Sequence, residues 1–365
     1  MNSKFTRRDF LKKSGAALSL AATFGFPNLI IPKKKEKLGV ALVGLGRYSN
    51  GLLAPGLQLT KHCELKGIVS GTPSKIPVWQ KEYRIPDSNV YNYQNMHQIA
   101  DNDDIDVVYI VLPSGLHAEY SIIAANAGKH VWCEKPMALT VDECQGIINA
   151  ANQNKVQLTI GYRMQHEPNT QQIIEFAKTK KYGAIKEVKT GAGYRGRHAN
   201  DNWRAIPELG GGAMYDMGVY PLNAARYATQ EEPIAVSGRQ YSEREEMYSE
   251  VDEFTEFTLW LPSGAVAHGE TAFGKSTNYL DIEAENGSYN LRPFQSYRGV
   301  EGSTSDGIIL AADPAHQQAR QMDNDALSIK ESTQPIVPGE EGLKDIAIIE
   351  AIQESSRKGG IRIQL

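Results

Sequence analysis

Leu38-Gly39-Val40-Ala41-Leu42-Val43-Gly44-Leu45-Gly46-Arg47-Tyr48-Ser49 decides how the first half of this chain folds. The first six residues are apolar or small, the pattern of a strand buried on both faces. Glycines at 44 and 46 then permit the tight turn and close backbone approach that a pyrophosphate needs, and a following helix N-terminus favours its charge. Ser49 stands where the usual dinucleotide-binding fingerprint has its third glycine. Alone, Gly-x-Gly is an ordinary turn. Between a strand and a helix at the head of an alternating segment, it reads as a nucleotide cradle.

Downstream, strands at 65–70, 89–93, 106–112 and 130–133 alternate with helices at 94–100, 117–127 and 141–154, the last with Thr140 as its N-cap. This alternation predicts an α/β unit over 37–158, a doubly wound parallel sheet whose ligand crevice lies at the carboxyl ends of its strands. After Gln157-Leu158-Thr159-Ile160 the pattern changes. Strands at 253–261, 265–271 and 279–284 follow one another, joined by Pro262-Ser263-Gly264 and Glu285-Asn286-Gly287. Residues 159–365 are therefore expected to form an α+β domain with a large, open, mostly antiparallel sheet and helices on one side. A last helix spans 342–358 and stops at Gly359-Gly360, and residues 303–307 read as a polar loop.

With 365 residues, 22% of them charged, and a net charge of -4, the chain has room for two globular domains. It has no basic patch or aromatic-interleaved basic stretch, so no nucleic-acid partner is expected. Residues 1–36 stand apart. Thr6-Arg7-Arg8-Asp9-Phe10-Leu11-Lys12-Lys13 precedes a weakly apolar run from Ser14 to Phe26, the order of a twin-arginine export signal; the alternative is a mobile basic N-terminus with a short amphipathic helix. Export predicts the twin-arginine machinery as a partner and a periplasmic or otherwise exported location. No Ala-x-Ala site precedes the folded part, which leaves open an uncleaved leader serving as a membrane anchor. Cys63, Cys133 and Cys144 show no metal-type or CxxC spacing, and no disulfide is expected. The eight histidines include no His-x-x-x-His pair, so no metal site is expected.

The chemistry rests on two distant stretches, Glu134-Lys135-Pro136 and Gly210-Gly211-Gly212 followed by Asp216 and Tyr220. Lys135 emerges at a strand's carboxyl edge, and Asp216 and Tyr220 stand at i and i+4, one face of a helix. Oxidation of an alcohol needs a base for the hydroxyl proton. A phenol with an ordinary pKa near ~10 serves at neutral pH only where a cation favours its phenolate. In this reading Tyr220 is the base and Lys135 the cation and donor, while Asp216 orients the pair or binds a neighbouring hydroxyl. The plain alternatives are a core tyrosine, a helix-start aspartate and a turn lysine. Trp203-Arg204 is either a flat wall with a bidentate donor or core beside surface. His117, after Pro113 at a strand end, is either near a nicotinamide or a local cap. Arg163 and His166 border the same crevice. Ser70-Gly71-Thr72-Pro73-Ser74-Lys75 ends the second strand with hydroxyls and a cation where an acid would select NAD, so NADP is favoured over NAD; the alternative is that Lys75 is a solvated helix-start residue.

At these residues the chain resembles the glucose–fructose oxidoreductase/inositol dehydrogenase/MocA family, and its glucose–fructose oxidoreductase branch in particular. The matching words run from Gly44-Leu45-Gly46-Arg47-Tyr48 and Val69-Ser70-Gly71 through Cys133-Glu134-Lys135-Pro136-Met137-Ala138 and Ile160-Gly161-Tyr162-Arg163. They continue with Trp203-Arg204, Gly210-Gly211-Gly212, Asp216-Met217-Gly218-Val219-Tyr220 and Pro338-Gly339-Glu340-Glu341-Gly342. The resemblance implies a Rossmann domain, with Lys135 as catalytic lysine and Tyr220 where many members carry histidine. It implies 2′-phosphate contacts at Ser70 and Lys75, and a nicotinamide pocket at Glu134, Trp203 and Arg204. The cofactor-binding set is completed by Gly44, Gly46, Arg47, Tyr48, Pro113, His117, Lys135 and Arg163.

The expected protein is an exported NADP-dependent sugar oxidoreductase and a homo-oligomer, dimer or tetramer. Its cofactor would be held tightly and recycled by a second sugar. Two rivals remain: a glycoside-cleaving enzyme working through a transient keto-sugar, and a non-catalytic sugar- or nucleotide-binding protein.

Overall fold

The computed structural model describes residues 35–198, 202–313 and 315–365. The twin-arginine segment lies outside the described residues. Strand β1 (Leu38–Val43) is buried along its whole length because both faces of its sheet are covered. Its side chains divide with the two-residue period of a strand. Ala41 and Val43 enter one apolar cluster, with Ala124, Ala125 and Ile147 of the helices His117–Asn126 and Val141–Gln153. Val40 and Leu42 enter another on the opposite face, with Leu53, Leu57 and Trp79.

The first sheet has the order β3-β2-β1-β4-β5-β6, with β2 (Cys63–Val69), β3 (Val90–Tyr91), β4 (Val107–Ile110), β5 (His130–Cys133) and β6 (Leu158–Ile160). Every pair is parallel. Strand order reverses between β1 and β4, and a crevice opens at the carboxyl ends on either side of such a reversal. Thr140 caps the helix Val141–Gln153 in a full capping box with Glu143. The expected helix at 94–100 is instead a 3₁₀ turn, Met96–Asp101, and β3 keeps two residues of the longer strand expected there.

The second sheet runs β14-β13-β12-β11-β7-β10-β9-β8-β15. Its strands are β7 (Ile185–Gly193), β8 (Ala235–Tyr241), β9 (Phe254–Trp260), β10 (Val266–Ala272), β11 (Thr277–Ala284), β12 (Gly287–Leu291), β13 (Gly302–Thr304), β14 (Ile309–Leu310) and β15 (Ile363–Gln364). All its pairs are antiparallel except the central β7–β10. The helix Val219–Thr229, buried at every residue, packs on one face, while Lys186, Lys189, Glu256, His268 and Glu283 are exposed on strands of this sheet. Residues 303–307 are not only a loop, since Ser303 and Thr304 pair within β13.

The chain does not divide into two consecutive territories. The helix Gln317–Glu331 returns to the first sheet and sets Met322 and Ala326 into the cluster of Val40, Leu42 and Tyr109. Cys63, Cys133 and Cys144 are free and buried. Among the described residues no helix is long and apolar enough to cross a membrane.

Candidate active site

The glycine loop leaves β1 at the strand-order reversal. Gly44 has φ +91°, and a Cβ there would lie 2.4 Å from the Val111 carbonyl oxygen, so only glycine fits. At Gly46 a Cβ would meet nothing within 4 Å, which leaves room over the loop. Ser49 substitutes for the missing glycine by being small and buried, and its hydroxyl donates to the Gly44 carbonyl at 2.5 Å. From the end of β2, Lys75 reaches back to donate to the Leu45 carbonyl at 2.9 Å. The Ser70 hydroxyl accepts the Thr72 amide at 3.1 Å and shapes the same turn. An open backbone loop with an exposed ammonium beside it is a donor set that fits a dinucleotide. Arg47 is exposed and Tyr48 half-buried on this loop, and Pro113 begins the turn after β4.

At the end of β5, Glu134 is buried and accepts the Tyr109 hydroxyl at 2.6 Å. Burial pushes its carboxyl above the usual range, against the pull of Tyr109, Lys135 and Arg163. The next side chain, Lys135, crosses to the second half of the chain. Its Nζ donates to the backbone carbonyl of Asp216 at 2.7 Å and lies 4.6 Å from the centroid of the Tyr220 ring. The two distant stretches therefore meet. Asp216 and Tyr220 do not share one α-helix as expected: Asp216 sits in a π turn, Met214–Gly218, which hands over to the helix Val219–Thr229.

The Asp216 carboxylate takes its hydrogen bonds from other groups. It accepts Arg204 Nε at 2.7 Å and the Tyr194 hydroxyl at 3.1 Å. Burial works against its charge, but Arg204 and Lys135 hold its pKa below the usual carboxylate range. The Arg204 guanidinium lies over the Trp203 ring at 4.2 Å, so these two act as one plate. Tyr194 continues the chain of hydrogen bonds to His198 Nε2 at 3.2 Å, and His198 Nδ1 meets the Tyr248 hydroxyl at 2.9 Å. An ionised carboxylate only accepts, so Tyr194 donates to it and accepts from His198 Nε2–H, while Tyr248 donates to Nδ1. Burial, reinforced by Arg204, lowers the His198 pKa and favours that neutral ring.

Two residues expected at the cofactor are buried against protein groups. His117 is buried, with Nδ1 2.7 Å from the Pro136 carbonyl and Nε2 2.9 Å from that of Leu112. Both ring nitrogens face backbone carbonyls of the loops after β4 and β5, and the neutral ring that burial favours donates to one of them. Arg163 is 1% exposed, behind Tyr297, whose ring centroid lies 4.5 Å from its guanidinium carbon. His166, expected to border the crevice, is buried too and faces Asn324. The sequence reading missed Tyr109, Tyr194, His198 and Tyr297, none of which lies in a motif. Tyr297 comes from the loop after β12, and its ring meets that of Tyr48 at 6.1 Å. No group of three His, Cys, Asp or Glu side chains able to hold a metal occurs among the described residues.

Comparison with known proteins decides the family. The model of an oxidoreductase family with an NAD-binding Rossmann fold matches residues 38–162, and that of the GFO/IDH/MocA C-terminal domain matches 170–290. This chain belongs to the GFO/IDH/MocA oxidoreductase family. Within the family, it is similar to aldose-aldose oxidoreductase from Caulobacter crescentus, whose crystal structure contains glycerol; the identity is 35%, the TM-score 0.86, and the match covers 90% of this chain and 100% of that one. It is 28% identical to D-xylose 1-dehydrogenase [NADP(+)] of Haloarcula marismortui over 87% of this chain and 90% of the relative. A second such enzyme, D-xylose 1-dehydrogenase (NADP(+)) 2 of Haloferax volcanii, is 27% identical over 88% and 97%.

Proposed function

We propose that this protein is an exported NADP-dependent sugar oxidoreductase acting at a pyranose hydroxyl carbon. One observation carries the reading: Lys135 and Tyr220, from separate halves of the chain, meet at 4.6 Å beside the mouth of a dinucleotide cradle. The relatives named for aldose and D-xylose oxidation support a sugar as substrate. NADP is supported by the names of the D-xylose enzymes and by this chain's own Lys75 and Ser70, an ammonium and a hydroxyl where an acid would repel a 2′-phosphate.

When bound, the nicotinamide supplies the acceptor or donor of the two electrons. The residues do the rest. Tyr220 takes the hydroxyl proton as the substrate carbonyl forms and returns it in the reverse direction. Lys135, anchored on the Asp216 carbonyl, donates to the substrate oxygen and stabilises the charge that develops there. The Trp203–Arg204 plate offers an apolar face and guanidinium donors to a sugar ring or the nicotinamide, and Asp216 keeps that plate in place.

Export rests on Arg7-Arg8 and the apolar run that follows. A compartment poor in free nucleotide favours a cofactor that stays bound and is reoxidised by a second sugar, which gives ping-pong kinetics. A homo-oligomer completes the reading.

The test follows reduced-nicotinamide absorbance of the exported, as-purified protein while sugars are added without external cofactor. A rise on an aldose, reversed by a ketose or second aldose, supports the reading. A flat trace with nucleotide recovered after denaturation removes the two-sugar cycle. Absence of recoverable nucleotide removes tight retention.

A further inference from the structure

Arg163 opens the turn Arg163–His166 that follows β6. Its Nη1 donates to the Ser296 carbonyl at 2.8 Å, contacts Met164 Sδ at 2.9 Å and is held by the amide oxygen of Gln317. Among the described residues its Nε and Nη2 are buried with no hydrogen-bond partner. No carboxylate of those residues hydrogen-bonds to this guanidinium, and Glu134 acts on it only through space. A buried charge in that state is costly to keep and is expected where the charge is used.

What it faces is aromatic. The guanidinium carbon lies 5.5 Å from the centroid of the Tyr220 ring and 4.5 Å from that of Tyr297. Burial opposes the arginine's charge, yet the phenols of Tyr220, Tyr48 and Tyr297 hold its pKa above the ordinary value. Both rings lie within cation–π reach, where a guanidinium attracts the electron density of a phenol. The titratable groups around Tyr220 and Arg163 are Tyr48 from the glycine loop, Glu134 and Lys135 after β5, and Asp216 from the π turn. Tyr297 comes from the loop after β12, and Tyr227, which also faces Glu167, from the helix of Tyr220 itself. The helix Gln317–Glu331 contributes the neutral Gln317. Of these groups, Lys135 and Arg163 are the cations, and Lys135 already gives a hydrogen to the Asp216 carbonyl.

We propose that Arg163 is a positioning residue whose buried charge stabilises the phenolate form of Tyr220, leaving Lys135 to serve the substrate oxygen. The inference rests on Tyr220 being the proton acceptor. It separates two tasks that a single lysine would otherwise perform in succession.

The experiment is the pH dependence of single-turnover sugar oxidation in the nucleotide-loaded enzyme, where the rate rises as the base loses its proton. Arg163→Met should displace that limb upward by about one pH unit or more, an about tenfold loss below it. Gln317→Glu, which sets a carboxylate against Nη1 without removing the arginine, should displace it in the same direction. Arg163→Lys keeps the charge and should keep the limb in place. If Arg163→Met does not fold, Gln317→Glu and Arg163→Lys decide. A uniform loss of rate with the limb unmoved in Gln317→Glu and Arg163→Met would make Arg163 structural and overturn the proposal. Tyr220→Phe separates the two levels: if it keeps rate and limb, the assignment of the base fails and this inference falls with it.

Discussion

The Lys135 ammonium donates a 2.7 Å hydrogen bond to the Asp216 backbone carbonyl, across 81 residues of sequence. A backbone acceptor neither titrates nor rotates, so it holds the lysine in place whatever the state of the Asp216 side chain. Lys135→Met should lower turnover about 10²- to 10³-fold, the range of a lost hydrogen-bond donor to a developing oxyanion, while nucleotide stays bound. Rapid-mixing turnover together with nucleotide content after gel filtration checks both halves of that statement.

The glycine loop separates a folding requirement from a binding requirement. Gly44 has a left-handed φ and a close carbonyl neighbour, so Gly44→Ala should destabilise the fold. Gly46 has open space around its absent side chain, so Gly46→Ala should shift stability by no more than about 0.5 kcal/mol. Its effect should fall on nucleotide affinity. Urea denaturation beside nucleotide titration distinguishes them, and equal destabilisation by both substitutions would refute the assignment.

Lys75 donates to the Leu45 carbonyl of the glycine loop, and in the proposed function it sets cofactor choice. Removing a charge-assisted donor costs about 1.5–3 kcal/mol, roughly 10- to 100-fold in affinity. Lys75→Ala should weaken NADP by that factor and leave NAD nearly unchanged. Competitive binding of the two nucleotides to the stripped enzyme reads the ratio directly.

Tyr194 passes the His198 hydrogen-bond chain to Asp216. Tyr194→Phe removes one donor from a buried carboxylate and leaves Arg204 in place. Sugar kcat/KM should fall about tenfold or more, with nucleotide affinity unaffected. Steady-state kinetics against a sugar panel tests this, and a change confined to nucleotide binding would sink it.

Arg226 gathers three carboxylates: Asp345 at 2.6 Å, Glu232 at 2.6 Å and Glu341 at 2.9 Å. Arg226→Met leaves Asp345 buried without its cation and should cost about 3–5 kcal/mol in chemical denaturation. Burial would raise the Glu232 carboxyl, but its bonds to Arg226 and Lys344 bring it down to about 2. A folded pKa below the unfolded value, ~4.3 for a glutamate, means the contribution is complete above the unfolded value and is lost as pH falls through the folded one. The Tm advantage of wild type over Glu232→Gln should hold above about pH 5 and vanish near pH 2.

Much of this was legible before any tertiary contact was known, and the exceptions are instructive. β1 and its glycine turn are local: a continuous apolar run marks a doubly covered strand, and the Gly44 backbone admits no side chain. Lys135 was readable because it follows His130-Val131-Trp132-Cys133 at a strand's end. β7 was not, because its Lys-, Gly- and Ala-containing stretch lacks the apolar weight of an edge-to-edge buried strand. The i, i+4 spacing of Asp216 and Tyr220 does not mark one α-helix, since Asp216 sits in a π turn and the helix begins at Val219. What His117 and Arg163 pack against was not legible, because position in the chain says nothing about which way a side chain turns.

By itself, the sequence determined the alternation of strands and helices, the nucleotide loop and the two stretches that carry Lys135 and Tyr220, because backbone sterics and hydrophobic period act over a few residues. Tertiary structure decided which cation lies beside which oxygen. Arg163 against the Tyr220 and Tyr297 rings and Tyr194 on Asp216 both depend on segments brought together from distant parts of the chain. Electrostatic energy depends on those distances and on burial, neither of which a local pattern of residues encodes.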